Sequence, residues 1–280
     1  MNNSTVNFTT SETSNSTTSY TILIDSLNIF MYCIGFIFGF PTHSYVLWLI
    51  VTGSSGVAAS FFNINLAFCE IGICLNCLVY AISYCFFSFS NVKQFFVGLT
   101  ITGRPLFQCL ICVERYLAVV HPVTFLKYKP LRYRVICCAP AWIIILGSCL
   151  ICMYTLNEKG RYLYTWFFST QFLIFLSIQL FCLVAVLRAL KQSGPGERKK
   201  EENHMKRRAF HLILITTASM AIIYGPFTII GFVTIVVNEL IDPLWFAGFT
   251  CYVLAGFVHP FLYLLSTGKI SCLSLPKYVC

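Results

Sequence analysis

Residues 91–120 read NVKQFFVGLTITGRPLFQCLICVERYLAVV. A helix rises 1.5 Å per residue, so about twenty apolar residues cross the roughly 30 Å hydrocarbon core of a bilayer. This run is long enough to span. Strands of a membrane barrel would be about ten residues long with alternating polarity, and this stretch is neither. Lys93 stands near one end and Glu114 and Arg115 near the other, but Arg104 lies in the middle. A charge at bilayer depth costs about 2.5–3.5 kcal/mol on insertion scales and marks function by default.

Six further apolar runs lie outward from it, at about 22–51, 58–87, 135–155, 163–190, 207–237 and 244–266. Gly53-Ser54-Ser55-Gly56 closes the first, Asn157 to Arg161 forms a short polar turn, and Lys191 to Arg208 is the long charged segment. The whole chain has 280 residues, 58% hydrophobic and 10% charged, with a mean hydropathy of +0.77. Soluble domains carry about 25% charged residues, so a soluble fold is excluded. The expected fold is an all-α membrane protein: a seven-transmembrane helix bundle over 21–266, with an outer tail at 1–20 and a short cytoplasmic tail at 267–280.

Two features orient the bundle. Residues 1–20 hold four glycosylation sequons, at Asn2, Asn3, Asn7 and Asn15, and glycans are added on the lumenal side. With the N-terminus outside, fifteen of the nineteen Lys and Arg fall in inner loops and tail, three (Lys93, Lys159, Arg161) fall outside, and Arg104 is in the membrane. Lys and Arg favour cytoplasmic loops, so the N-terminus is expected outside and the C-terminus inside. The first twenty residues lack the apolar core of a cleaved leader, which leaves the first span as its own insertion signal. The net charge of +9 reflects this bias beside an anionic inner leaflet, and no nucleic-acid partner is expected.

Glu70 and Arg104 are isolated opposite charges at similar depth on neighbouring spans. They are expected to form a buried ion pair, with His43 and His259 near the same level. Glu114 and Arg115 close the third span, where a local acid–Arg pair can be held shut and later opened. Cys74/Cys77, Cys109/Cys112 and Cys149/Cys152 form three C-x-x-C pairs inside spans, where small residues share a packing face. Metal or redox chemistry is not expected from them, and no cofactor is. No hydrolase triad, HExxH or phosphate loop is present, so no catalytic residue is assigned. Gly35 and Gly39 form a G-x-x-x-G, a hint of a dimer.

Seven spans and Glu114-Arg115-Tyr116 closing the third give a chain that resembles the rhodopsin-like G-protein-coupled receptors over about residues 21–270. Asn65-Leu66-Ala67-Phe68-Cys69-Glu70 is similar to the family's N-L-A-x-x-D, Trp142 to its fourth-span tryptophan, Ile223-Tyr224-Gly225-Pro226 to C-W-x-P, and His259-Pro260-Phe261-Leu262-Tyr263 to N-P-x-x-Y. Cys112 to Arg134 looks most like the branch of nucleotide, lipid, hydroxy-acid and protease-activated receptors. The resemblance implies a plasma-membrane, multi-pass receptor that carries an extracellular ligand's signal to heterotrimeric G proteins, with the sixth span moving around Pro226 and freeing Arg115 and Tyr263.

Several positions depart from that pattern. His43 and His259 replace asparagines, and Tyr224 replaces the toggle tryptophan. Arg104 falls in the family's sodium pocket, where a guanidinium stands in for the ion. Ser90 takes the place of the third-span cysteine and the second outer loop has none, so the outer disulfide is expected to be absent. Lys206 lies where many members carry the acid that locks the E-R-Y arginine, which implies raised basal activity. Cys272 and Cys280 are candidate palmitoylation sites.

In receptors of this shape the ligand pocket would be faced by Gln94, Val97, Phe227, Thr228, Gly231, Trp245 and Phe249. Val97 stands where amine receptors keep an aspartate. None of the seven positions is basic, whereas anionic ligands favour Arg. An unidentified apolar or lipid-like ligand fits best. Two alternatives from other classes remain: a receptor-like partner that does not signal, and a proton-coupled transporter using Glu70, Arg104 and the histidines.

Overall fold

The structure is a computed structural model that describes residues 9–53, 61–83, 90–128, 131–157, 161–191, 197–237, 242–258 and 260–261. Every regular element among them is helical: α1 (Thr9–Thr52), α2 (Phe61–Ser83), α3 (Ser90–Gly98), a π-helical turn (Leu99–Gly103), α4 (Arg104–Val120), α5 (Pro122–Tyr128), α6 (Leu131–Asn157), α7 (Arg161–Lys191), α8 (Glu197–Val237) and α9 (Asp242–Ala255). Among the described residues, six helices are long and apolar enough to cross a membrane: Ile22–Thr52, Phe61–Ser83, Asn91–Val120, Leu131–Thr155, Leu163–Lys191 and Ala209–Val237. The seventh expected run is represented by α9, and much of its remainder lies outside the described residues.

Three segments read as tail or loop are helical. α1 reaches back to Thr9, although the chain becomes apolar only near Ile22. α8 starts at Glu197, well before its apolar part, because Glu, Lys and Arg in that stretch are good helix formers. Between α4 and α6, Pro122 opens the short α5, at the first helical position where a missing N–H costs nothing. His121 breaks the path with φ −128° and ψ 64°, and its N–H closes on the Leu117 carbonyl at 3.0 Å.

The Asn91–Val120 span becomes the axis of the bundle. In its most apolar stretch 72% of residues are buried, against 11–44% in the other five spans. α4 packs on α2, α7 and α8, α3 packs on α6, and α1 bridges α2 and α9. Outward-facing Phe30, Phe38, Trp48, Ile143 and Ile222 stay exposed, as expected of helices whose solvent is lipid. Lipid tails are as apolar as Leu, so close backbone approach and buried polar contacts hold such helices together. At Gly98 an added Cβ would lie 2.4 Å from Cys149 Cα, so only glycine lets α3 meet α6 there. Thr102 Oγ1 lies 2.6 Å from Ser148 Oγ and 2.8 Å from Gln171 Oε1, tying the π turn to α6 and α7. Trp142 Nε1 donates to Asn65 Oδ1 at 2.8 Å, tying α6 to α2.

Nine of the twelve described cysteines are buried in the packing. All twelve among the described residues are free thiols. Cys77 and Cys74 sit under Gly35 and Gly39, whose added Cβ atoms would lie 3.1 and 2.8 Å from the two sulfurs. The G-x-x-x-G face therefore packs on α2 within the chain, which removes the reason for expecting a dimer through it. No cluster of three metal-ligating side chains occurs among the described residues.

Candidate functional site

The polar centre is assembled where the third span changes its winding. A proline within a helix clashes with the carbonyl four residues earlier, here that of Ile101 for Pro105. The Leu99–Gly103 stretch widens into a π turn, a form frequent at functional sites. Directly after it Arg104, 3% exposed, reaches α2. Its Nε donates to Glu70 Oε1 at 2.6 Å and its Nη2 to Glu70 Oε2 at 2.7 Å. This two-pronged geometry is the strong form of a charged hydrogen bond. Glu70 is fully buried.

Around the pair, His43 Nε2 of α1 lies 3.7 Å from Glu70 Oε2. The Arg104 guanidinium carbon lies 4.6 Å from the ring centroid of Tyr252 on α9. An added Cβ on Gly256 would lie 3.3 Å from Arg104 Nη2, so this neighbour of α9 also crowds the guanidinium. Four segments of the chain thus converge on one ion pair. His259 lies outside the described residues.

A cavity of about 510 Å³ opens above this centre. Tyr224 and Tyr252, both buried, line it on the side of the pair. Their rings pack edge to face with centroids 6.1 Å apart, and Tyr224 also stacks on Phe172 at 6.3 Å. Tyr224 Oη donates to the Thr100 carbonyl at 3.4 Å, inside the π turn.

Of the expected pocket residues, Val97, Phe227 and Gly231 line the cavity. Thr228 does not: its hydroxyl turns back to the Tyr224 carbonyl at 2.9 Å. Gln94 does not either, because it shares a helix face with Gly98, which abuts α6. The side chains of Trp245 and Phe249 lie outside the described ones. Sequence reading missed Asp25, Asn28 and Asn76, polar lining residues from α1 and α2. Only the interruption of apolar runs by these residues could have flagged them.

At the far end of α4 stands Glu114-Arg115-Tyr116. Eighteen residues separate Val97 from Arg115, so the charged end lies about 27 Å along the helix from the cavity. Glu114 accepts a hydrogen bond from Arg134 Nη2 of α6. The hydrogen bond thus comes from an arginine twenty residues away, where the sequence predicts the adjacent one. Arg115 is half-buried, as is Lys206 on α8. Tyr116 Oη and His121 Nε2 are 3.1 Å apart. Pro226 lies within α8 and Pro260 is buried beyond α9. Tyr263, Cys272, Cys280, Asn2, Asn3 and Asn7 lie outside the described residues, and Asn15 falls in the first turns of α1 with its side chain undescribed.

Residues 42–263 match the family model described as 7 transmembrane receptor (rhodopsin family). The uracil nucleotide/cysteinyl leukotriene receptor of Rattus norvegicus is 25% identical over 221 residues, 71% of this chain and 64% of the relative. C-C chemokine receptor type 8 of Homo sapiens is 25% identical over 72% of this chain and 62% of its own length. Chemokine XC receptor 1 of Homo sapiens is 27% identical over 70% and 62%. The chain spans less than two thirds of the length of these relatives.

Proposed function

Because the chain belongs to the rhodopsin family of seven-transmembrane receptors, we propose that it carries an extracellular signal to heterotrimeric G proteins. The N-terminus lies outside and the C-terminus inside, at the plasma membrane, a reading supported by the four sequons and the distribution of Lys and Arg. Ligand enters the cavity between α1, α2, α3, α7, α8 and α9. It acts by binding one arrangement of the helices better than another, since a ligand shifts an equilibrium only by its differential affinity.

The observation that carries this reading is the placement of a 510 Å³ cavity and the Glu114-Arg115-Tyr116 end on one buried helix. Between them, Tyr224 touches the π turn from α8, two residues before Pro226. A ligand that moves Tyr224 therefore pulls on the helix that covers the charged end. In that motion α8 swings around Pro226, and Arg115 becomes available to the G protein. The G protein would meet Arg115, α5 and the charged start of α8. Neither the Glu70 centre nor the cavity forms bonds with a substrate in this scheme.

The test is basal G-protein dissociation in cells, measured across all Gα classes for wild type and Arg115→Ala at matched surface expression. A signal that disappears in the variant is expected. Equal signals in both would remove Arg115 from coupling. Proton-coupled flux in vesicles that depends on Glu70 would favour the transporter reading instead.

A further inference from the structure

The cavity wall holds buried polar atoms that lack partners among the described residues. Asn76 is 6% exposed and its Oδ1 has no hydrogen-bond partner among the described residues, yet the side chain lines the cavity. Tyr252 Oη is likewise buried, without a partner there, and in the lining. Asp25, exposed on the first helix, adds a carboxylate. No Lys, Arg or His is among the described lining residues. Lys93 engages the Tyr80 ring at 4.9 Å without lining the space, and Arg104 beneath gives Nε and Nη2 to Glu70 and does not line the cavity either.

A buried carbonyl left without a donor is costly, so a binding partner that supplies one recovers that cost. A carboxylate or phosphate would instead meet the like charge of Asp25, with no cationic side chain in the described lining to receive it. The rest of the lining is apolar or aromatic, from Ile73, Ile101, Phe168 and Phe246.

Resting on the receptor reading above, we propose that the cavity takes an amphiphile with an apolar body and a hydrogen-bond-donating, non-anionic head, seated on Asn76 with Asp25 at its edge. This differs from the uracil nucleotide and cysteinyl leukotriene that the relative from Rattus norvegicus is named for. The distinguishing feature is that Asn76 and Asp25 come from α2 and α1, while the far side of the cavity presents aromatic rings.

The test uses the full chain in lipid nanodiscs and thermal unfolding followed by tryptophan fluorescence. Four probes share one eighteen-carbon chain and differ in head: oleoylethanolamide, oleylamine, oleic acid and oleyl phosphate. The first two should raise Tm saturably, and the acids should not at equal membrane concentration. Asn76→Leu should weaken both active probes at least tenfold. Asp25→Asn, at an exposed position that folding does not depend on, should weaken oleylamine alone. Stabilisation by the acids equal to that by the amide, an unchanged response in either variant, or no response to any probe overturns the proposal. Basal signalling that still depends on Arg115 in that event leaves the receptor reading standing. Probe binding with no such signalling overturns the receptor reading alone.

Discussion

Among the described residues two acid–arginine pairs lie along the same helical axis, and their surroundings differ. Glu70 and Arg104 are sealed in the bundle, joined by two hydrogen bonds and enclosed by α1 and α9. Glu114 and Arg134 meet at a helix end, with Glu114's side chain 18% exposed and a single hydrogen bond between them. A buried charge is held in place by the cost of leaving it alone, whereas Glu114, whose carboxylate is partly exposed while Arg134 is buried, can exchange its partner for water more readily. The first pair therefore fixes helices together, and the second is suited to open when α4 and α6 move.

The largest effect should come from breaking the inner pair on one side. Glu70→Gln or Arg104→Gln leaves one buried charge uncompensated and should cost about 3–5 kcal/mol, read as a large fall in Tm in nanodiscs and in surface expression. Replacing both by leucine should recover much of that loss, since well-packed apolar substitutes for a buried pair are often close to neutral. A double leucine variant as unstable as the singles would break the comparison at its root.

At the helix end the cost should be smaller. Arg134→Ala removes one partly exposed charged hydrogen bond and should cost about 1–2 kcal/mol. Its clearer signature should be raised basal G-protein signalling, because the tie between α4 and α6 is gone. Unchanged signalling with a fall in Tm like that of Glu70→Gln would make the two pairs alike.

A weaker effect is expected at Lys206. Lys206→Glu restores the acid that many family members carry at this position and should lower basal signalling about twofold, since an ion pair near the surface contributes only about 0–1 kcal/mol. The smallest effect should be that of sodium. Arg104 occupies the place beside Glu70 where a cation would sit, so replacing sodium by choline should leave Tm and ligand affinity unchanged. A clear sodium dependence would mean that the guanidinium leaves the carboxylate.

The helical runs and the inner pair were legible because each rests on something rare. Twenty apolar residues in a row have few explanations, and two isolated charges at equal depth have few partners. The partner of Glu114 was hidden, because Arg134 reaches it only through the reversal that His121 and Pro122 build. The π turn left a readable mark in Pro105, but its reach depends on backbone hydrogen bonds that pattern does not display. Asp25, Asn28 and Asn76 escaped notice for another reason. The α1 and α2 spans are apolar on most sides, and a helix that is hydrophobic all round does not announce which face turns inward.

The account turns on Glu70 and Arg104 acting as one unit, and a double-mutant cycle measures that directly. Thermal unfolding of wild type, Glu70→Gln, Arg104→Gln and the double variant in the same nanodiscs should give a coupling energy of about 2 kcal/mol, within the range found for contacting buried groups. Additive losses, with coupling near zero, would contradict the account.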